Sequence, residues 1–511
     1  MTVIAKNPIM PGFYPDPSIC AVGGDYYLVN STFSYFPGLP VLHSRDLAHW
    51  EQIGNVLDRQ SQLPLVQSGH SQGLFAPTIR YYNGTYYVIC TNVSHGGNFV
   101  VTATDPAGPW SEPYYLAGAD GIDPSLFFDE DGTCYYIGTH PNPEGCKYNG
   151  DYYIWIQQLD LTQMKLVGPK KDVWNGAMRE VAWPEGPHLY YKDGYYYIMH
   201  AEGGTGPDHC VSVCRSKDIW GPYENYRKNP VLTHRHLGKA YPIQYVGHSD
   251  IIETPNGEWY MVMLADRPLE GYTTMGRETF LAKVVWENGW PVVNPGVGML
   301  TDEVEINLPE WKPSVEQTGH YEFAGMEKLG PEFLLLRNPK EDMYRLTGKA
   351  LELKLQPETL KEKASPSYVA IRQQHHAFSV SARVKVAELS GKECAGIALM
   401  QSDEYNLRVE ADSEVIKAIL CEKGEDTVLG TYPTAEAYEA DKESVVLRIE
   451  VNGLTASVSL GDTTIGSIPV SALSTEVAGG FVGCTVGMYA SANGEQSDKY
   501  AAFESFSYDA K

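Results

Sequence analysis

Five times in its first three hundred residues the chain repeats a short aromatic strand signal. The copies are Asp25-Tyr26-Tyr27-Leu28, Thr85-Tyr86-Tyr87-Val88, Thr133-Cys134-Tyr135-Tyr136, Gly194-Tyr195-Tyr196-Tyr197 and Gly257-Glu258-Trp259-Tyr260. They recur at intervals of roughly 50–65 residues, the length of one four-stranded blade in a β-propeller. About ten residues upstream of each copy stands a different group: Asp16, the Phe75-Ala76-Pro77 triplet, Asp123, Glu185 and His248. Blades repeat about one axis, so matching offsets predict that these groups converge on a single axial mouth. Corner signals repeat as well: Ser44-Arg45-Asp46-Leu47, Asp105-Pro106-Ala107-Gly108-Pro109-Trp110 and Asp218-Ile219-Trp220-Gly221-Pro222-Tyr223. An Asp that bonds its own backbone at a turn and a ring that fills the gap between blades account for them structurally.

Past Trp290 the pattern changes. Pro309 and Pro313 mark a connector over 306–320, and from 321 to 511 alternating strands replace the tyrosine pairs. Ala377 to Val386 alternates strictly, and Asn452-Gly453 forms a tight-turn signal between two alternating runs. The predicted fold is therefore all-β, a five-bladed propeller over 1–305 followed by an antiparallel sandwich.

Composition narrows the class of partner. A net charge of −25 repels phosphate backbones, which excludes nucleic acid, and no apolar run is long enough for a membrane helix. The first residues lack the basic and apolar regions of a signal peptide. Nine cysteines without paired spacing read as buried free thiols in a reducing cytoplasm.

The tripeptide Asp-Pro-Ser occurs at Asp16 and again at Asp123, each time just before an aromatic strand. One Asp-Pro is an ordinary turn starter; the same tripeptide at the same offset in two blades points to function. Glu185 sits between Pro184 and Gly186-Pro187, a rigid setting for an aimed acid. Hydrolysis of a glycoside needs an acid on the leaving oxygen and a carboxylate on the opposite face. A third carboxylate can raise the acid's pKa. Asp16, Asp123 and Glu185 meet that requirement.

At this point the residues match a known family. Pro11-Gly12-Phe13-Tyr14-Pro15-Asp16-Pro17-Ser18, Ser31-Thr32-Phe33, His43-Ser44-Arg45-Asp46-Leu47, Glu185-Gly186-Pro187-His188, Glu202-Gly203-Gly204-Thr205 and Gly276-Arg277-Glu278-Thr279 resemble glycoside hydrolase family 43. Ser365-Pro366-Ser367 and Arg372-Gln373-Gln374-His375 resemble the sandwich of its β-xylosidase and α-L-arabinofuranosidase branch. The resemblance implies an inverting, exo-acting glycosidase with Asp16 as base, Asp123 as pKa modulator and Glu185 as acid. It further implies substrate contacts from Phe33, Phe75, Thr205 and Arg277, with His248 as the residue facing a calcium ion that is otherwise ligated mostly by water. Phe481, expected to begin a strand after Gly479-Gly480, aligns with a ring that the branch's sandwich lends to the pocket; packing inside the sandwich is its plain alternative.

The chain has Phe75 where many β-xylosidases have tryptophan, which tilts the expectation toward terminal α-L-arabinofuranosyl groups, with β-D-xylosyl second, on arabinoxylan-derived oligosaccharides. The β-D-xylosidase reading and a non-catalytic sugar-binding propeller are the alternatives. Fructan hydrolases share the blade count, but their first acid sits in an Asn-Asp-Pro-Asn-Gly context that Pro15-Asp16-Pro17-Ser18 lacks. The sequence leaves the oligomeric state open.

Overall fold

The computed structural model describes residues 2–314 and 318–511. Five antiparallel four-stranded sheets follow one another in the chain. Blade 1 runs from Ser18–Val22 to Glu51–Leu57, blade 2 from Thr78–Tyr82 to Tyr114–Tyr115 and blade 3 from Ile122–Phe128 to Lys165–Trp174. Blades 4 and 5 begin with Glu185–Lys192 and Gln244–Glu253 and end with Glu224–Asn225 and Trp290–Val293. One ring of every repeated signal is inside: Tyr26, Tyr86, Tyr136, Tyr197 and Tyr260 are all buried. The aromatic repeat thus supplies apolar surface between neighbouring blades, where burial is worth about 1.5–3 kcal/mol per large side chain. The three corner aspartates act as read from sequence. Asp46, Asp105 and Asp218 each accept a backbone N–H two residues on, at 2.9 Å from Ala48, Ala107 and Trp220.

The ring closes through the N-terminus. Val3–Lys6 pairs antiparallel with Glu303–Ile306. Asn7 then imitates a strand partner for blade 5: its Nδ2 donates to the Leu281 and Thr301 carbonyls at 2.8 and 2.9 Å, and its Oδ1 accepts from Leu281 N–H.

The second domain is a pair of packed sheets whose first strand is His320–Glu322. The region assigned to a connector is thus shorter than 306–320, because Ile306 still pairs with Val3 and His320 already pairs with Ser507. Asn452 faces Thr455 in the expected hairpin, and Ala377–Lys385 buries every second residue.

One topological feature was absent from the sequence reading. Tyr35–Phe36, inside blade 1, leaves the propeller and forms the edge strand of a sandwich sheet, pairing with Leu334–Leu336. Behind that junction Arg337 is fully buried, donating to Ser68 O and making two hydrogen bonds to Asp403 at 3.1 and 2.5 Å. Nearby, Gly276 and Gly483 meet backbone to backbone: a Cβ on Gly276 lies 2.6 Å from Gly483 N. No larger residue fits at that crossing of the two domains.

Candidate active site

Strand register defines equivalent positions in the five innermost strands. Ser18, Thr78, Ser125, His188 and Asp250 each oppose one residue of the second strand of their blade: Val29, Ile89, Ile137, Met199 and Val262. Two residues upstream of them stand Asp16, Ala76, Asp123, Gly186 and His248. Four of these five have left-handed backbones, with φ of 52° at Asp16, 54° at Asp123, 56° at Gly186 and 47° at His248. For three of the four that conformation is uncommon, and for Asp16 and Asp123 the following proline disfavours it further. Asp16, Asp123 and His248 thereby turn their side chains into the cavity described below.

This register corrects one expectation. The matching offset holds for Asp16, Asp123 and His248 but not for Glu185, which lies one position earlier than its counterparts. The reason is steric. A Cβ at Gly186 lies 2.8 Å from the His248 ring, so blade 4 needs glycine at the equivalent position and offers its acid from the residue before. Phe75 in blade 2 uses the same preceding position.

Just below this ring the channel is plugged. Asp250, fully buried, accepts from Ser18 Oγ at 2.7 Å, from Arg80 Nη1 at 2.8 Å and from Tyr190 Oη at 2.6 Å. Arg80 Nη2 also lies 2.8 Å from His188 Nδ1. Side chains from blades 1, 2, 4 and 5 are thereby tied together two or three residues beyond Asp16, Glu185 and His248. The mouth above has a floor, and it is a pocket rather than a pore.

A cavity of about 280 Å³ occupies that mouth. Asp16, Asp123, Glu185, Phe33, Phe75, Thr205, Arg277, His248 and Phe481 all line it, so every residue singled out from sequence is brought to one place. Ile122, Tyr152 and Trp183 line it too and were not singled out. Trp183 had a signal, its position two residues before Glu185. Tyr152 begins a strand after a long connection, and nothing in its local sequence marks it.

Phe481 arrives from the sandwich, and not as the start of a strand. It lies in the loop before Thr485–Ser491 and is 42% exposed. Ser71 Oγ accepts its backbone N–H at 2.9 Å, and its ring stacks on Phe33 with centroids 6.1 Å apart. Phe75 closes the group, 5.4 Å from Phe33 and 6.3 Å from Phe481. The Arg277 guanidinium sits over Phe33 and Phe481 at 5.6 and 5.8 Å.

The electrostatics separate the three acids. Asp16 accepts from Arg277 Nη1 at 2.7 Å and from Ser31 Oγ at 2.5 Å, and His248 Nδ1 is 3.8 Å away. Burial pushes its pKa up, but Arg277, His248 and the Ser31 hydrogen bond outweigh that and hold the carboxyl below its ordinary value. Among the described residues Glu185 has no such partner. Burial first, and then the charges of Asp123 and Asp16, push it well above the usual carboxylate range. Asp123 lies between, raised to about 6 by burial and Asp16 while His248 and Arg277 act against the rise. Between these limits one carboxyl of the site is ionised and another protonated.

A calcium ion ligated mostly by water would meet one protein atom here, a ring nitrogen of His248, which lines the cavity. Among the described residues no three His, Cys, Asp or Glu side chains converge to hold a metal. His248 offers one nitrogen to an ion that prefers six to eight oxygens. No step below runs through a metal.

Comparison with known proteins agrees with the geometry. The model of glycosyl hydrolases family 43 matches residues 5–291, and that of the beta xylosidase C-terminal concanavalin A-like domain matches 320–509. A xylosidase/arabinosidase of Butyrivibrio fibrisolvens is 52% identical over 519 residues, covering 99% of both chains. A non-reducing end alpha-L-arabinofuranosidase of Bacteroides ovatus is 38% identical over 525 residues, covering 98% of this chain and 94% of its own. The solved structure of a xylan beta-1,4-xylosidase from Bacillus halodurans superposes with a TM-score of 0.90 at 34% identity, over 99% of this chain and 100% of that one.

Proposed function

The chain belongs to glycosyl hydrolase family 43, and from that premise we propose that it removes single pentosyl residues from the non-reducing ends of arabinoxylan-derived oligosaccharides, inverting the anomeric carbon. The glycone is α-L-arabinofuranosyl first and β-D-xylosyl second. The observation that carries the reading is that Asp16, bonded by Arg277 and Ser31, and Glu185, beside the charges of Asp123 and Asp16, share one cavity whose surroundings shift their pKa values in opposite directions. Two carboxyls driven apart by their surroundings are the mark of paired base and acid.

Asp16, kept ionised, takes a proton from a water as the water oxygen bonds to the anomeric carbon. The glycosidic bond breaks on the other face, and Glu185 gives its proton to the departing oxygen. The products are a free pentose and an oligosaccharide shortened by one unit, leaving Asp16 protonated and Glu185 ionised until solvent exchange resets both. Arg277 holds Asp16 and borders the glycone; Asp123 keeps the proton on Glu185. The names of the relatives support both sugars, and Phe75 in place of a larger ring supports arabinose first.

Size supports single-residue release. Ligand pockets range over about 300–1,000 Å³, and this one, at about 280 Å³, lies just below that range. Its rim includes a ring from the sandwich, which narrows the mouth for a terminal sugar. The cysteines support action in a reducing compartment on imported oligosaccharides: all nine are unpaired and eight are buried, with Cys146 exposed.

The test is product analysis on short arabinoxylan oligosaccharides and on long arabinan and xylan. Free pentose alone, formed first as the inverted anomer by NMR, is the expected result. A ladder of oligomers from the polymers, or retention of configuration, overturns the reading.

A further inference from the structure

Trp183 adopts a left-handed backbone, with φ of 46°, directly before a proline. For a bulky aromatic residue both facts are unfavourable, and such a conformation persists only where its surroundings fix it. Here three glycines surround it. The Trp183 N–H donates to Gly150 O at 2.7 Å, and a Cβ on Gly150 lies 2.9 Å from the indole. A Cβ on Gly204 likewise lies 2.7 Å from the six-membered ring, so bare backbone supports the ring there. Gly203 N–H donates to Ala182 O at 2.8 Å, tying the two loops together. The indole is only half-buried and lines the cavity two residues from Glu185.

The cavity has two sides. Arg277, Phe33 and Phe481 gather around Asp16, where the sugar being removed is attacked. Glu185 protonates the oxygen of the departing group, so that group lies on the Glu185 side, where Trp183 stands. Tyr152 lies there as well, within the electrostatic reach of Glu185 and Asp123.

We infer that Trp183, supported by Gly204, is the platform on which the leaving-group sugar stacks its C–H face, and that it makes the enzyme select substrates whose leaving group is itself a sugar ring. This rests on the pentosidase reading above. Stacking on a preset ring acts on the ground state as much as on the transition state, so it enters KM rather than kcat.

The experiment compares wild type with Trp183→Leu, Trp183→Phe and Gly204→Ala on two substrates of the same glycone, a pentosyl oligosaccharide and the pentosyl fluoride. Fluoride offers no ring to stack. Trp183→Leu is expected to raise KM for the oligosaccharide about tenfold while kcat and the basic limb of the pH profile stay in place. Trp183→Phe recovers part of the loss. Gly204→Ala, which displaces the ring without removing it, raises KM in the same direction. On the fluoride, which offers no ring to stack, all three variants lose several-fold less than on the oligosaccharide. Equal losses on both substrates, an unchanged oligosaccharide KM, or a fall in kcat with a shifted basic limb, the sign of a misplaced Glu185, each overturn the assignment. Wild-type inactivity on both pentosides instead removes the reading on which it rests.

Discussion

Arg277 bonds Asp16 through one nitrogen at 2.7 Å, and its other terminal nitrogen lies 3.4 Å from the Phe481 carbonyl. One side chain thus joins the proposed base of the propeller to the loop that the sandwich lends to the pocket. Arg277 lowers the pKa of Asp16 and opposes the rises of Asp123 and Glu185. Arg277→Met therefore lets all three rise. Both limbs of the kcat/KM profile are expected to move to higher pH, with activity down roughly 10²–10³-fold as a preorganised donor is lost. A pH–rate series on the purified variant checks it; a fixed acid limb is the contrary result.

Asp123 acts in the opposite sense on the acid. Its charge is the largest contribution after burial to the raised pKa of Glu185. Asp123→Asn should move the basic limb to lower pH, because Glu185 then gives up its proton earlier. The same pH–rate measurement reads this, and a basic limb that stays in place assigns Asp123 an orienting role only.

Leaving-group chemistry isolates Glu185. Glu185→Gln is expected to cost about 10²–10⁴-fold on oligosaccharides, the usual size of general acid catalysis. A nitrophenyl pentoside, whose phenolate departs with little protonation, should keep most of its rate. Initial rates on the two substrates decide the matter, and equal losses contradict the assignment.

Phe481 tests what the sandwich contributes. Phe481→Ala removes the ring stacked on Phe33 and opens the rim. Loss of one aromatic contact of this kind corresponds to about 1–3 kcal/mol. KM for terminal pentosides should therefore rise roughly five- to 150-fold with the fold intact. Kinetics with a circular dichroism control checks it.

Arg337 and Asp403 form a buried pair at the junction of the domains. Arg337→Met leaves a buried carboxylate unpaired, which costs about 3–5 kcal/mol. Urea unfolding should show that loss, and the two domains should unfold at a lower midpoint. An unchanged midpoint means that solvent reaches Asp403.

Much of this molecule is legible in its residues because blades repeat. The aromatic pairs mark each second strand, and Asp-Pro-Ser marks the left-handed kink at the start of two of the first strands. What escaped depends on contacts between repeats. Glu185 is out of step with Asp16 because His248, from the next blade, occupies the space a side chain at Gly186 needs. Tyr152 and Trp183 reach the cavity through loops of individual length, which no period encodes. Phe481 carried a family alignment, yet its placement off the strand depends on Ser71, more than four hundred residues earlier.

The short strand Tyr35–Phe36 makes the two domains interdependent. On paper the sandwich is an accessory module, added after a complete catalytic ring. In space blade 1 donates an edge to it, and that edge begins two residues after Phe33, a wall of the pocket. A single cut in the connector therefore yields no two independent products: one half keeps a dangling strand, and the other exposes a row of unpaired backbone groups. The wall of the pocket and the appended domain thus share one stretch of backbone, and a shift in either is felt by the other.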